Sequence, residues 1–187
     1  AIVAKGKKYY PNNPYWNDIE MDKLSKGGDQ TALFAKYEEI YQKNPNNFAN
    51  DYNYAVELYN SLYTKDGKNA DPLAAKEKLT QVLKSAIAVD TSIDATVLIM
   101  NHLFNWGADY SSAAVEVKGT KPEDVKKKKD LNTLSLNKLD EVIPYADKVI
   151  AYYKANPPKK TTEKINLKNA ANHMSEIYGL KNNPKKA

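Results

Sequence analysis

The residue types best able to carry out chemistry are few in this chain, and their spacing does not suit catalysis. The two histidines, His102 and His173, lie far apart, and neither has a second histidine three or four positions away to form a helical metal pair. The chain contains no cysteine, which excludes thiolate metal sites, disulfides and a cysteine nucleophile. Serine, histidine and acidic residues occur without a nucleophile-elbow motif. The sequence therefore predicts a protein that is not an enzyme, with no catalytic residue and no metal site.

Two glycine-containing segments resemble ion-binding loops only superficially. Residues 66–71 offer oxygen ligands around a glycine, yet they lack the alternating acids and the terminal glutamate of a calcium loop. Residues 27–29 lack the lysine and the hydroxyl residue of a phosphate-binding loop. We expect residues 64–72 to form a polar surface insertion, residues 27–29 to form a turn, and the protein to need no cofactor.

The aromatic residues are the strongest indication of a binding surface. The chain has 14 tyrosines but only 3 phenylalanines. A tyrosine ring combines an apolar face with a polar tip, which suits a binding groove that is both apolar and wet. The alternative is that the tyrosines fill core positions and extend their hydroxyl groups to solvent.

The charge of the chain argues against a nucleic-acid partner. The formal net charge is +5, and all 28 basic residues are lysine. Arginine supplies the bidentate contacts to guanine edges and phosphates, so its absence predicts no specific nucleic-acid binding. Lysines that offset 23 acidic residues on solvated helix faces account for the charge. The sequence has no apolar run of about 18 residues, so we expect no transmembrane segment in this chain.

The elements that position these residues are predicted to be helices joined at proline–asparagine turns. Pro11 and Pro45 each begin a Pro-Asn-Asn sequence, and they lie 34 positions apart. One type of helix-pair repeat has a period of about 34 residues. Each proline separates two amphipathic stretches. The spacing predicts that Pro11 and Pro45 occupy equivalent positions and that residues 12–45 and 46–91 form equivalent helix pairs.

Residues 28–63 carry the clearest form of the repeat. Leu33, Tyr37, Ile40 and Pro45 resemble the pattern of apolar, aromatic and proline positions in the second helix of a tetratricopeptide repeat. The run Tyr52-Asn53-Tyr54-Ala55 resembles the first-helix signature of the same family. The resemblance implies an all-α fold, an antiparallel helix-pair solenoid that forms a tetratricopeptide-like superhelix of about three to four degenerate repeats.

The remaining sequence is expected to continue this array as one domain over residues 1–187, with both ends resembling parts of a longer array. We expect a helix over residues 74–89 and another from residue 93, followed by a turn at residues 106–110 and an irregular connection over residues 111–121. Helical periodicity then continues to about residue 153. Pro144 lies inside this stretch and would either kink one helix or begin a new one. A last helix is predicted over residues 163–178, and Gly179 would end it.

The resemblance also implies which residues bind a ligand. In tetratricopeptide-repeat proteins the first helix of each pair lines a concave face, and the inner side of that helix contacts the ligand. The equivalent positions here are Trp16, Asn17 and Glu20; Tyr52, Asn53, Val56 and Tyr59; Val97, Asn101 and Phe104; and Lys168, Asn169 and Asn172. We expect the Tyr52 and Tyr59 rings to share one concave surface with Asn53, Asn101 and Phe104.

These positions predict a non-enzymatic interaction module or scaffold that binds a peptide or protein segment in a Tyr/Asn-lined concave groove. The alternative is a carbohydrate- or cell-wall-binding envelope module, in which the same rings stack on sugars. A flat row formed by Trp16 and exposed tyrosines would favour a glycan, whereas rings around pockets in a closed groove would favour a peptide. The insertions and the Tyr/Asn-rich, arginine-free composition resemble envelope proteins of the Bacteroidetes type. This implies a periplasmic or outer-membrane-associated location rather than a cytoplasmic one.

Overall fold

The computed structural model describes residues 2–10, 13, 15–44, 46–64, 69 and 71–182, and over these residues the chain forms helices and no strand. The helices are α1 (Ile2–Tyr9), α2 (Tyr15–Gly27), α3 (Gln30–Lys43), α4 (Phe48–Tyr63), α5 (Pro72–Val89), α6 (Ile93–Glu116), α7 (Pro122–Ala155) and α8 (Thr161–Asn182). The prediction of an all-α protein is confirmed for this part of the chain. None of these helices combines the length and the apolar character that a bilayer span requires.

Polar side chains define where three of the helices begin. Asp29, Asn47 and Asp71 each accept a hydrogen bond from the backbone N–H three positions later, at 2.9, 3.1 and 3.1 Å. These bonds satisfy N–H groups that have no partner within the first turn of a helix. Pro72 follows Asp71 at the first position of α5, where its missing N–H costs nothing. Most of the insertion predicted at residues 64–72 lies outside the described residues.

The helices pack in chain order around one core. From α2 to α8 each helix contacts the next, and in addition α4 contacts α6 and α6 contacts α8. The most extensive of these contacts joins α6 to α7. The largest fully buried apolar side chains come from α5, α6 and α8: Leu79, Leu83, Ile99, Met100, Leu103 and Ile177. Burial of this apolar surface is the main force that holds the helices together.

The crossing of α6 and α7 is close because α6 has a glycine at the contact. A side chain at Gly107 would place its Cβ 2.9 Å from the Leu139 side chain of α7. At the same crossing Ser135 Oγ donates a hydrogen bond of 2.8 Å to the Gly107 carbonyl. The Lys138 ammonium lies 4.1 Å from the centre of a Trp106 ring, a cation–π geometry. Gly107 is therefore a packing position inside a helix.

This packing corrects two of the sequence predictions. The turn expected at residues 106–110 and most of the irregular connection expected at residues 111–121 are wrong, because α6 continues through them to Glu116. Only residues 117–121 join α6 to α7 without helical structure. Gly107 suggested a turn because glycine commonly ends helices, but here its lack of a side chain admits α7.

Two further boundaries differ from or refine the expectations. Pro144 lies inside a single helix, α7, and begins no new one. Its side chain is exposed, so its ring does not disturb the core. The last helix continues past Gly179 to Asn182, because nothing at that glycine turns the chain. Pro11 and Pro45 lie outside the described residues, so their equivalence stays a prediction.

Candidate functional site

An open groove runs between α2 and α4, and α3 forms its floor. It consists of two depressions with volumes of about 190 and 160 Å³. The first is lined by Asn17, Asp18, Met21, Tyr37, Ile40, Asn50 and Asn53. The second is lined by Leu24, Ser25, Gly28, Gln30, Leu33 and Glu57.

The helical period explains why the two depressions form one groove. On α2 the lining positions 17, 21 and 24 are separated by four and three residues, so their side chains lie on one stripe of the helix. Positions 30, 33, 37 and 40 form an equivalent stripe on α3, and positions 50, 53 and 57 form one on α4. The second depression therefore continues the first along all three helices.

The floor of the groove is apolar and firmly packed. Leu33 and Ile40 are 6% and 8% exposed. The Tyr37 ring stacks on the ring of Tyr54, with centroids 5.1 Å apart and planes at 1°. Burial, together with the nearby Glu57 carboxylate, raises the pKa of Tyr37 to about 12. The Tyr37 hydroxyl therefore keeps its proton at neutral pH and is able to donate a hydrogen bond.

Three asparagine side chains line the walls of the first depression. Asn17 lies on α2, and Asn50 and Asn53 lie on α4. Within the part of the chain that the structure describes, none of these three side-chain amides forms a hydrogen bond or another polar contact. Each amide is therefore able to donate to and accept from a ligand at the same time.

Trp16 and Glu20, which were also expected on the inner face of the first unit, have partners outside the groove. Trp16 Nε1 donates a hydrogen bond of 2.6 Å to the Tyr10 carbonyl, and the indole ring packs over Gly6 of α1. A Glu20 carboxylate oxygen lies 3.0 Å from the Lys36 ammonium of α3. Of the residues expected in the first unit, only Asn17 lines the groove.

The residues expected in the second unit lie on different sides of α4. Asn53 lines the groove beside α2, whereas the Tyr59 hydroxyl accepts a hydrogen bond of 3.1 Å from Asn105 Nδ2 of α6. Tyr52 stacks on Phe48, with ring centroids 5.6 Å apart and planes at 8°. Val56 is half-buried between the Tyr52 and Tyr59 positions along the helix. Asn53 and Tyr59 therefore do not share one surface.

The expected residues of the third and last units pack α6 against α8. The Phe104 and His173 rings stack with centroids 3.7 Å apart. His173 Nε2 donates a hydrogen bond of 3.2 Å to Asn101 Oδ1. Burial lowers the pKa of His173 to about 4, so its ring is neutral at pH 7. Four other expected residues do not line the groove: Val97 is buried, Asn169 is half-buried, and Lys168 and Asn172 are exposed.

His102 is fully buried and joins three helices through hydrogen bonds. Its Nε2 lies 3.1 Å from the Lys76 carbonyl of α5, which can only accept, so Nε2 carries the proton. Its Nδ1 consequently accepts from the Tyr63 hydroxyl of α4 at 3.0 Å. Burial lowers the pKa of His102 to about 3. Among the described residues no group of three or more histidine, cysteine, aspartate or glutamate side chains could hold a metal ion.

Several groove residues were not predicted from the sequence. The groove is lined, beside the expected Asn17 and Asn53, by Asp18, Met21, Asn50 and Glu57. The available signal was the spacing of positions 50, 53 and 57, which places three polar residues on one stripe of α4. The stripe that faces α2 could not be distinguished from the one that faces α6 without the packing of α4.

Comparisons of this chain with protein-family models, with curated proteins and with solved structures found no match. The geometry of the groove is therefore the basis on which a function is proposed for it.

Proposed function

We propose that this protein is a non-enzymatic scaffold that binds a peptide or protein segment in the groove between α2 and α4. The observation that carries the proposal is the set of three asparagine amides, at positions 17, 50 and 53, around one depression. Each amide matches the N–H and C=O groups of a peptide backbone, because it supplies one donor type and one acceptor. Main-chain hydrogen bonds of this kind provide affinity with little dependence on the sequence of the ligand.

The apolar floor supports the same proposal. Tyr37 and Ile40 line the first depression together with the amides, and Met21 adds an adaptable apolar side chain to its wall. Leu33 continues the apolar floor in the second depression. A ligand side chain that enters either depression would remove apolar surface from water, at about 25 cal/mol for each Å². Amide walls over an apolar floor suit a peptide, which has a regularly polar backbone and variable side chains.

The order of helix contacts supports a tetratricopeptide-like arrangement for this scaffold. In such a solenoid the first helices of successive pairs contact one another and form the inner layer. Here α4 contacts α6, and α6 contacts α8, in addition to the contacts between neighbours in the chain. In this arrangement α4, α6 and α8 would be the first helices, and α5 and α7 would be the partners of α4 and α6.

A carbohydrate- or cell-wall-binding role is the second candidate, and an aromatic cluster near α1 favours it. Tyr9, Tyr10 and Tyr15 are 70%, 68% and 59% exposed, and Trp16 contacts the Tyr15 ring and the Tyr10 carbonyl. The Tyr15 and Trp16 rings are tilted by 56°, however, so these two rings do not form a flat platform for a sugar. The groove is therefore better supported as the binding site than this aromatic cluster. The periplasmic or outer-membrane-associated location stays a proposal that rests on composition.

Selection from a random linear peptide library would test the proposed function. We expect the immobilised wild-type protein to enrich a set of binding peptides. The double variant Asn17→Ala/Asn53→Ala should bind these peptides at least about tenfold more weakly than the wild type, because it lacks two amide hydrogen bonds that contribute about 1 kcal/mol each. Asn137→Ala is the matched control, because Asn137 is an exposed asparagine on α7. Peptides that bind the double variant and the wild type equally well would contradict the proposal.

A further inference from the structure

The groove is acidic although the protein as a whole is basic. The chain has a formal net charge of +5. The two depressions nevertheless contain Asp18 and Glu57, one in each, and no lysine or histidine among their lining residues. A cleft whose charge opposes that of the whole molecule attracts ligands that the rest of the surface repels.

Lysines neutralise the neighbouring acids but not these two. Lys36 lies 3.0 Å from Glu20 and 3.1 Å from Glu39, and Lys78 lies 3.0 Å from Glu38. Within the described part of the chain, neither Asp18 nor Glu57 forms an ion pair. The negative charge in the groove is therefore available to a ligand.

Glu57 is the better placed of the two acids to bind a cation. Its side chain is half-buried in the second depression, whereas Asp18 is exposed. A partly desolvated carboxylate without a partner loses hydration, and a bound ammonium or guanidinium group compensates for that loss. The Glu57 carboxylate also acts electrostatically on the groove, because it is the second cause, after burial, of the raised pKa of Tyr37.

The spacing of the two depressions along α2 sets the spacing of the ligand charges, because Asp18 lines one depression and Glu57 lines the other. Residue 18 lines one depression and residue 25 lines the other, seven positions further along α2. Seven residues of helix span about 10 Å. An extended peptide rises about 3.4 Å per residue, so about three residues cover the same distance.

We infer that the groove selects cationic peptide segments, in which a lysine or arginine side chain binds Glu57 and a second, about three residues away, binds Asp18. This inference rests on the proposed function and adds the chemical class of the partner. The asparagine amides bind the backbone between the two basic side chains. The carboxylates repel acidic segments, which are excluded from the groove.

Three labelled nonapeptides would test this inference by fluorescence anisotropy. They share a background of leucine, alanine and serine, and they carry two lysines, two glutamines or two glutamates three positions apart. We expect the lysine peptide to bind the wild-type protein at least about tenfold more tightly than the glutamate peptide, with the glutamine peptide between them. Added salt should narrow the difference, because ions screen charges in an open groove.

Charge variants of the protein would show whether Glu57 causes the preference for the lysine peptide. Glu57→Gln should reduce the preference for lysine several-fold, and Glu57→Lys should reverse it. Glu123→Gln makes the same change in net charge at an exposed position of α7 and should leave the preference intact. Circular-dichroism melts of each variant would establish that the fold is retained.

The outcomes separate this inference from the proposed function. If all three peptides bind with equal affinity and the binding is lost in Asn17→Ala/Asn53→Ala, the inference is wrong and the proposed function stands. A preference for lysine that Glu57→Gln and Glu57→Lys leave unchanged also overturns the inference, because the selectivity would then arise elsewhere. If none of the three peptides binds, both proposals fail.

Discussion

Single buried residues connect the helices in ways that apolar contacts do not. His102 links α4, α5 and α6 through directional hydrogen bonds to Tyr63 and Lys76. Ser85 Oγ of α5 donates a hydrogen bond of 2.8 Å to Asp51 Oδ2 of α4. Directional bonds of this kind favour one relative position of the helices, because any shift along the helix axes leaves a buried polar group without its partner.

The buried histidine predicts a specific dependence of stability on pH. His102 has a pKa of about 3 in the folded protein, against a usual value of 6.5. Below pH 6.5 the unfolded chain therefore binds a proton that the folded protein does not. The contribution of His102 to stability is complete above pH 6.5 and is lost as pH falls towards 3, at roughly 1 kcal/mol per pH unit. Urea unfolding of the wild type at several pH values would measure this slope.

The variant His102→Gln isolates that contribution. A glutamine amide does not titrate, so the difference in unfolding free energy between the wild type and this variant should shrink as pH falls from 7 to 4. His173→Gln is a second variant for the same measurement, because burial also lowers the pKa of His173, to about 4. A difference between the wild type and His102→Gln that is constant across this pH range would show that His102 does not stay neutral in the core.

At the level of the helices, the sequence was informative where a boundary has a local cause. The breaks before α3 and α4 were predictable, because Asp29 and Asn47 cap the helices that follow them. The extent of α6 was not, because the role of Gly107 depends on Leu139, a residue 32 positions away in the sequence. For the same reason Asn17 and Asn53 could be expected from the resemblance, while Glu57 could not: its place in the groove depends on how α2 packs.

The close crossing of α6 and α7 predicts opposite effects for the same substitution at two glycines. Gly107→Ala would place a methyl group 2.9 Å from Leu139, so we expect it to lower the free energy of unfolding by about 1 to 3 kcal/mol. Gly179→Ala in α8 has nothing within 4 Å, and we expect a gain of about 0.5 to 1 kcal/mol from helix propensity. Denaturant titrations of both variants would measure the two effects. Stabilisation by Gly107→Ala would show that α6 and α7 do not approach this closely.

For the molecule as a whole, the packing is uneven along the chain. The α6–α7 contact is the most extensive, and ten residues of α6 are buried. In contrast, α2 has no buried residue. A binding groove lined by the less extensively packed end has walls that are able to adjust to a ligand, since segments with few buried contacts open at the lowest free-energy cost.

This unevenness predicts a gradient of hydrogen exchange. Backbone amides of α6 and of the second half of α7 should exchange most slowly, because their opening requires the core to separate. Amides of α2 should exchange much faster, and those of α4 should be intermediate. Exchange monitored by mass spectrometry at neutral pH would establish the order. Uniform protection from α2 to α8 would mean that the chain unfolds as a single unit.

A peptide bound between α2 and α4 would contact the side-chain amides that line the groove, so their NMR resonances provide a test of the proposed function. The NH₂ groups of Asn17, Asn50 and Asn53 can be assigned by substitution and followed by NMR while the lysine nonapeptide is added. We predict large, saturable shifts of these three pairs of resonances at one common affinity, with those of Asn137 and Asn172 unchanged. Saturable binding of the peptide that leaves the resonances of the three groove amides unshifted would contradict the proposed function.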